Sequence, residues 1–301
     1  MKKLVYFLFA VLLFSCNSKD KNNSNNDALT AQNKEIRTDL YGSWVGDFLA
    51  EERNEETESS ENTTNKINIL IKKITASEVT GQSIVAGNSR PLKGFMKKIG
   101  NTLSFTLKEP GDDKNDGVFT FEIKNDTLVG TWTAYNTKKA VTKRSFELSK
   151  KEFQYDPTVM LSEDKYVDWQ NPKVEKEKNG ILASDTIPED NEEYDEASGI
   201  TLYRQASESV YQINSSTEKL KESQLKNLKK LDLEILRNTI FARHGLTFKT
   251  KTVRQFFDFV DWYIPVSTNV DDKLTETEKQ NIVLLKRFEK YATDNYDSFG
   301  R

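Results

Sequence analysis

Between residues 41 and 148 the chain alternates apolar and polar side chains in short runs that turn-forming residues separate. At residues 67–71, 103–107 and 119–123 apolar side chains recur at every second position, which is typical of strands that bury one face. The clusters between the runs are rich in Gly, Asn and Asp, which favour turns. The pattern predicts about eight strands in an antiparallel meander, and closure into a barrel would remove the exposed edges of such a sheet.

A short motif occurs near both ends of this predicted sheet. Leu-Tyr-Gly-Ser-Trp ends at Trp44, and Leu-Val-Gly-Thr-Trp ends at Trp132. The glycines of the two copies, Gly42 and Gly130, allow a neighbouring backbone to approach closely. The indole is large enough to plug one end of a barrel.

Gly42 and Trp44 match the Gly-x-Trp motif that lies in the first strand of lipocalin-like domains, and residues 37–150 resemble that family. The resemblance implies an eight-stranded barrel that either holds a small apolar ligand or is filled by its own side chains. It also makes Arg144 a candidate for the arginine that closes the barrel in many lipocalins.

From residue 207 the apolar positions recur at helical spacing. Ser215 and Glu218 have the spacing of a capping box and predict the start of a helix that continues through residues 219–231. Asp232 is positioned to cap the next helix. That helix is expected to stop at His244, with Gly245 in the left-handed conformation that ends many helices.

Two further helices are predicted towards the C-terminus. One begins after Thr250 and ends before Pro265, which cannot continue it. Its apolar face consists of Val253, Phe256, Phe257 and Val260. The other begins at a capping box formed by Thr275 and Glu278.

The pentapeptide Phe-Ala-Arg-His-Gly at residues 241–245 resembles the signature of the YARHG domain, a presumed extracellular bacterial module. Phe241 replaces the signature Tyr, so one hydroxyl group is lost. The residues that match the family pattern are Arg237, Asn238, Phe241, Ala242, Arg243, His244, Gly245, Trp262 and Glu278. The resemblance implies no particular activity, because none is established for the family.

His244 is the single histidine of the chain, and two interpretations of it remain open. In one, His244 ends a helix and meets its unpaired carbonyls, while Arg237 and Arg243 do the same or pair with Glu278. In the other, His244 contacts a ligand or substrate. The structural interpretation is favoured, because the helical region has no cysteine, second histidine or Gly-x-Ser-x-Gly motif. No catalytic residue, metal site or cofactor is expected.

The first sixteen residues differ from the rest of the chain. Two lysines precede an apolar run at residues 4–14, which is too short to span about 30 Å of hydrocarbon and is typical of a signal peptide. The run ends in Leu-Phe-Ser before Cys16, which resembles the bacterial lipobox. The resemblance implies a signal peptide at residues 1–15 and a lipid on Cys16, with residues 16–36 as a flexible tether.

Composition completes the predicted organisation. Charged residues make up 30% of the chain, but the net charge is only −3, so no nucleic acid partner is expected. The hydrophobic fraction of 36% favours compact domains that polar segments separate. We therefore expect an α+β fold with the barrel at 37–150, a linker or partly ordered extension at 151–206, and a small all-α domain at 207–301.

Three functions are compatible with these features. The favoured one is a non-enzymatic lipoprotein of the bacterial cell envelope, located at the outer membrane. The sequence leaves open whether it faces the periplasm or the cell surface. It is attached to the membrane through Cys16, and it binds or scaffolds an envelope protein or glycan. The alternative is a carrier of a small apolar ligand in the barrel, and the third is a hydrolase that uses His244.

Overall fold

The computed structural model describes residues 33–54, 64–176 and 199–297. The predicted signal peptide, Cys16, most of the tether and the acidic part of the predicted linker lie outside these residues. Within them, a β-barrel precedes a region that is mainly helical. The fold is therefore α+β, as predicted.

The described residues contain eight strands that form a closed barrel, in which each strand is antiparallel to the next and the last pairs with the first. The strands are β1 (Gly42–Arg53), β2 (Thr64–Ile74), β3 (Val79–Val85), β4 (Asn88–Ile99), β5 (Thr102–Lys108), β6 (Gly117–Lys124), β7 (Thr127–Ala134) and β8 (Val141–Lys151). The alternating apolar side chains in β2, β5 and β6 face the interior, where their exposure is 6% or less. The predicted antiparallel meander is confirmed.

The two tryptophans of the repeated motif lie towards opposite ends of the barrel. Trp44 stands opposite Lys150 of β8 in the register, whereas Trp132 stands opposite Arg144. Trp44 is fully buried, and its Nε1 donates to a backbone oxygen in the 3-10 turn before β1 at 3.0 Å. Arg144 thus lies at the Trp132 end and donates to the backbone oxygen of Phe48 at 2.9 Å. Arg144 and the Gly-x-Trp motif therefore lie towards opposite ends of the barrel, and closure of the barrel by Arg144 stays a prediction.

The glycines of the two copies have different reasons to be glycine. Gly42 begins β1 with a φ of 111°, a backbone conformation that residues other than glycine rarely adopt. Gly130 instead lies against Phe121, and a Cβ atom added to it would stand 2.4 Å from the Cβ of that residue. The close approach predicted for these glycines is therefore found at Gly130.

Within the described residues, the C-terminal region contains five α-helices. They are α1 (Ser209–Gln212), α2 (Glu222–Leu225), α3 (Lys230–Arg243), α4 (Lys251–Phe257) and α5 (Glu276–Glu289), with a 3-10 turn at Asp271–Lys273. None of the helices in the described part of the chain is long and apolar enough to cross a membrane. The predicted capping box of α5 is confirmed, because Thr275 Oγ1 accepts from Glu278 N at 3.2 Å and Glu278 Oε2 accepts from Thr275 N at 2.9 Å.

Helix α3 ends as predicted. His244 is its C-terminal cap, and Gly245 follows with a φ of 73°. Gly245 N donates to the backbone oxygen of Ala242 at 2.9 Å. Leu246 N donates to the backbone oxygen of Phe241 at 3.1 Å, which completes the two hydrogen bonds of a Schellman motif.

The prediction of one helix over residues 219–231 is wrong, since the short α2 ends at Leu225 and α3 begins only at Lys230. The hydroxyl of Ser215 donates to a backbone oxygen of α3 at 2.9 Å instead of capping a helix. Asn281 of α5 explains the difference, because its amide nitrogen donates to the backbone oxygens of Ser215 and Glu218 at 2.9 and 2.8 Å. Its amide oxygen accepts from Leu220 N at 2.9 Å, so a side chain from α5 holds residues 215–220 in a turn instead of a helix.

Two other helix boundaries differ from the prediction. Asp232 is the third residue of α3 rather than its cap, although its carboxylate still accepts from Lys229 N at 3.0 Å. Helix α4 ends at Phe257 instead of continuing to the proline, and the chain then turns, with Tyr263 N donating to the backbone oxygen of Val260 at 3.1 Å.

The segment between the barrel and α1 packs with the helices. Leu161 and Tyr166 are buried in the same hydrophobic cluster as residues of α3 and α4. The strands β9 (Lys173–Lys176), β10 (Gly199–Arg204) and β11 (Tyr296–Asp297) form a small sheet in the order β11-β10-β9, which the sequence did not predict. The extension and the C-terminal residues therefore belong structurally to the helical region.

The barrel and the helical region contact each other through polar side chains on the barrel. Lys66, Asn68 and Lys151 donate to backbone oxygens within residues 260–265, at 2.5, 2.8 and 3.0 Å. Asn68 is consequently fully buried, although it lies on the outer face of β2. Burial lowers the pKa of Lys66 to about 8. These contacts join the barrel to the helical region.

Candidate functional site

The centre of the helical region is a pair formed by His244 and Glu278. The end of α3 carries the histidine and the start of α5 carries the glutamate, which brings His244 Nε2 to 2.8 Å from Glu278 Oε2. The ring of Tyr155 stacks on the imidazole with a centroid distance of 4.2 Å, and its hydroxyl donates to Glu278 Oε1 at 3.1 Å. His244 is 3% exposed and Glu278 is not exposed at all.

Glu278 is held in its ionised form. Burial acts to raise the pKa of its carboxyl group, but hydrogen bonds from His244, Ser216 and the backbone of Thr275 lower the pKa to about 2. Because an ionised carboxylate only accepts hydrogen bonds, Nε2 of His244 must carry the hydrogen in this contact. A buried charge with several donors is stable, whereas the same charge without them would be costly.

The two arginines of the motif bind elsewhere. Arg243 is buried, and its Nε and Nη2 donate to the backbone oxygen of Val159 at 2.9 and 2.7 Å. Burial lowers the pKa of Arg243 to about 10, although the charge of Glu278 acts to raise it. Arg237 binds the carboxylate of Glu289 through Nε and Nη2 at 2.5 and 3.1 Å. The pairing of these arginines with Glu278, one of their predicted roles, is replaced by the His244 contact.

The remaining motif residues occupy the interior of the same region. Ala242 is buried, and Phe241 packs against both hydrophobic clusters of the helices. Trp262 donates from Nε1 to the backbone oxygen of Met160 at 2.8 Å. Asn238 accepts from Arg237 Nη1 at 3.3 Å, whereas Asn281 donates from its amide to the backbone oxygens of Ser215 and Glu218.

Two residues that stabilise this region were not identified from the sequence. Tyr155 contacts the His244–Glu278 pair, and Asn281 binds the backbone of residues 215–220. Tyr155 is 123 residues from Glu278 in the chain, and no local pattern reports a contact at that separation. Within the described ranges, no three histidine, cysteine, aspartate or glutamate side chains cluster where they could hold a metal ion. The His244–Glu278 hydrogen bond joins α3 to α5, and the contacts of Tyr155 with both residues join the extension to these helices.

A second candidate site is a cavity of about 190 Å³ at the Trp132 end of the barrel. Glu109, one of its lining residues, accepts from Ser83 Oγ and Gly117 N, both at 2.7 Å, and from Trp132 Nε1 at 3.2 Å. Burial raises the pKa of the Glu109 carboxyl group, and these hydrogen bonds act in the opposite direction. Lys251 and Arg254 of α4 also line the cavity, so the barrel and the helical region form it together.

Comparison with known proteins bears on the helical region. No curated protein and no solved structure is significantly similar to the chain. Residues 209–290, which span α1 to α5 and contain the His244–Glu278 pair, match the family model of the YARHG domain, which confirms the resemblance of the pentapeptide.

Proposed function

We propose that the protein is a non-enzymatic lipoprotein of the bacterial cell envelope, in which the barrel and the YARHG domain together act as a binding or scaffolding module. The anchor would be a lipid on Cys16, which follows an apolar run of signal-peptide length. The anchored module would lie at the outer membrane.

The burial of the His244–Glu278 pair carries the proposal. A general acid or base must come within hydrogen-bonding distance of the atom that gains or loses the proton. His244 Nε2 is already bound to Glu278, and both side chains are buried beneath the ring of Tyr155. These groups hold three chain segments together, which favours a module that presents a fixed surface over one that carries out chemistry.

The packing of the barrel disfavours the carrier of an apolar ligand. Aromatic rings fill its interior, with Phe105 and Phe121 stacked at 4.9 Å between centroids and Phe121 and Phe146 at 6.4 Å. Side chains can fill an eight-stranded barrel completely. No specific observation favours the carrier as a second candidate.

Replacement of His244 with alanine tests the non-enzymatic character. We expect the wild-type protein to show no turnover of peptidoglycan fragments, peptides or esters, and the variant to lose about 2 kcal/mol of unfolding free energy. That loss follows because Glu278 loses a buried donor and Tyr155 loses the ring it stacks on. Turnover by the wild type that the variant lacks, at an unchanged melting temperature, would show that the protein is an enzyme.

Replacement of Cys16 with serine tests the anchor. Serine offers no thiol for a thioether, so we expect the variant to lose labelling by a palmitate analogue and to leave the membrane fraction of cells. A variant with Ser15 replaced by alanine keeps the thiol and the small residue before it, and it should be labelled like the wild type. Unchanged labelling of the Cys16 variant contradicts the lipoprotein assignment, and protease treatment of intact cells distinguishes the two faces of the outer membrane.

A further inference from the structure

One hairpin of the barrel projects at the end that carries Trp44. The pairing of β4 with β3 ends at Gly94, whereas the pairing of β4 with β5 continues to Ile99. Residues 95–102, here called the projecting hairpin, therefore extend past the start of β3. Because a strand rises about 3.3 Å per residue, the extension is about 15 Å long.

The outer face of the projecting hairpin exposes apolar side chains beside a cation. Phe95, Lys97 and Ile99 share this face, because side chains of a strand alternate between its two faces. Ile99 is 64% exposed and Phe95 is 41% exposed, and Lys97 Nζ lies 5.1 Å from the centre of the Phe95 ring. An aromatic ring and an aliphatic side chain beside a long lysine suit the boundary between lipid and water, since the ammonium group can still reach water.

The tip of the projecting hairpin is cationic. Lys97 and Lys98 are both exposed, and residues 95–108 include no acidic residue. The adjacent β6–β7 hairpin is mixed, with Lys124 between the exposed acids Glu122 and Asp126. Lysines near an anionic phospholipid surface are attracted to it, so the charge and the apolar side chains of the tip favour the same partner.

The chain enters the barrel at the same end. Ile36 N donates to the backbone oxygen of Ile74 at 2.8 Å, and Ile74 pairs with Val79 where β3 begins. The residues before β1 thus lie at the Trp44 end. From Cys16 to Asn33, the first described residue, the chain can span at most about 60 Å. A lipid on Cys16 would therefore keep the end that carries the projecting hairpin close to the membrane.

The helical region contacts other parts of the barrel. Lys66 and Asn68 of β2 and Lys151 of β8 bind its backbone. Gly87, in the β3–β4 turn at the Trp132 end, donates from its N to Thr247 Oγ1 at 3.0 Å. These contacts lie away from the projecting hairpin, whose tip stays exposed when the two regions are joined.

We propose that the projecting hairpin docks on the phospholipid surface that holds the lipid of Cys16. Ile99 and Phe95 enter between the headgroups, and Lys97 and Lys98 face anionic phosphates. The inference rests on the proposed function, because the anchor brings this end of the barrel to the membrane. A weak contact is sufficient, since the anchor raises the effective concentration of the hairpin at the surface. Docking also turns the cavity at the Trp132 end away from the membrane.

Co-sedimentation with vesicles of phosphatidylethanolamine and phosphatidylglycerol tests the proposal. The chain from residue 17 keeps every described residue but lacks the apolar run and Cys16, so its binding does not depend on the anchor. We expect it to bind at low salt, and Ile99→Asn to lower the partition constant about tenfold, as the loss of about two buried methylene groups would. Leu49→Asn is the matched control, since Leu49 is 44% exposed near the Trp132 end, and it should change nothing. Absence of binding, or an equal loss in both variants, overturns the proposal.

Paired lysine substitutions test the contribution of charge. Lys97→Gln with Lys98→Gln should weaken binding to these vesicles about tenfold, because each lysine loses its attraction to the anionic lipid. Lys114→Gln with Lys138→Gln removes the same charge at exposed positions in the loops of the Trp132 end and should have no effect. Equal weakening in both double variants would mean that net charge alone drives binding, and it would overturn the assigned surface.

Failure of the docking is distinct from failure of the anchor. A protein that is labelled by the palmitate analogue, but whose chain from residue 17 does not bind vesicles, would overturn the docking alone. An unlabelled protein would contradict the anchor and, with it, the membrane on which the docking depends.

Discussion

Replacement of Glu278 with glutamine is expected to lower the unfolding free energy at pH 7 by about 3 kcal/mol. Glutamine keeps the shape of the side chain but removes the charge that His244, Tyr155 and the Thr275 backbone bind. The size follows from the pKa of the Glu278 carboxyl group, which is about 2 in the fold against an ordinary value of 4.5. Urea unfolding of the two proteins measures the difference directly.

The same substitution is expected to have a smaller effect in acid. A carboxyl group whose pKa is lowered by folding contributes stability above its unfolded pKa and loses that contribution as the pH falls towards the folded pKa. For Glu278 the window lies between about pH 4.5 and pH 2. The difference between wild type and variant should therefore shrink from about 3 kcal/mol at pH 7 to about 1 kcal/mol at pH 3.

Glu276→Gln is the matched control. Glu276 lies in the same first turn of α5 and loses the same charge, but its side chain is exposed. The control should cost less than about 0.5 kcal/mol at either pH, since charges near a helix start contribute little when solvated. If the two variants were equally stable at pH 7, the buried pair would not be the structural centre of the YARHG domain.

The features that the sequence predicted well are those that neighbouring residues determine. The period of two in β2, β5 and β6 predicts strands, because each strand buries one face in the barrel whatever it pairs with. The end of α3 is likewise local, since Gly245 takes a φ of 73° that other residues disfavour. The capping box of Thr275 and Glu278 spans only one turn of helix.

The features that the sequence did not predict depend on distant partners. Asn281 holds residues 215–220 in a turn, against the helix start that the spacing of Ser215 and Glu218 predicted. Asn68 looks like a solvent-facing strand residue, yet it is fully buried because its amide donates to the backbone oxygen of Pro265. The cavity joins side chains of the barrel to Lys251 and Arg254. In each case the deciding contact crosses many tens of residues, and no local periodicity encodes it.

Replacement of Gly87 with alanine is expected to loosen the barrel from the YARHG domain at a cost of about 2–4 kcal/mol. Gly87 lies in the β3–β4 turn with a φ of 80°, and its N donates to Thr247 Oγ1 at 3.0 Å. An added Cβ atom would lie 2.5 Å from the Cβ and 2.6 Å from the Cα of Lys249. The Lys249 backbone has little freedom to move, because its carbonyl accepts from Arg254 Nη1 at 3.0 Å. Urea unfolding measures the cost, and hydrogen exchange in β2 and residues 260–265 measures the loosening.

Gly100→Ala is the control that separates the cost of backbone strain from the cost of the clash between residue 87 and Lys249. Gly100 also has a left-handed φ, of 61°, but its added Cβ atom would meet nothing within 4 Å. The control should therefore cost only the conformational part, about 1 kcal/mol, and leave exchange in residues 260–265 unchanged. Equal stability and equal exchange in the two variants would mean that this turn does not hold the barrel and the YARHG domain together.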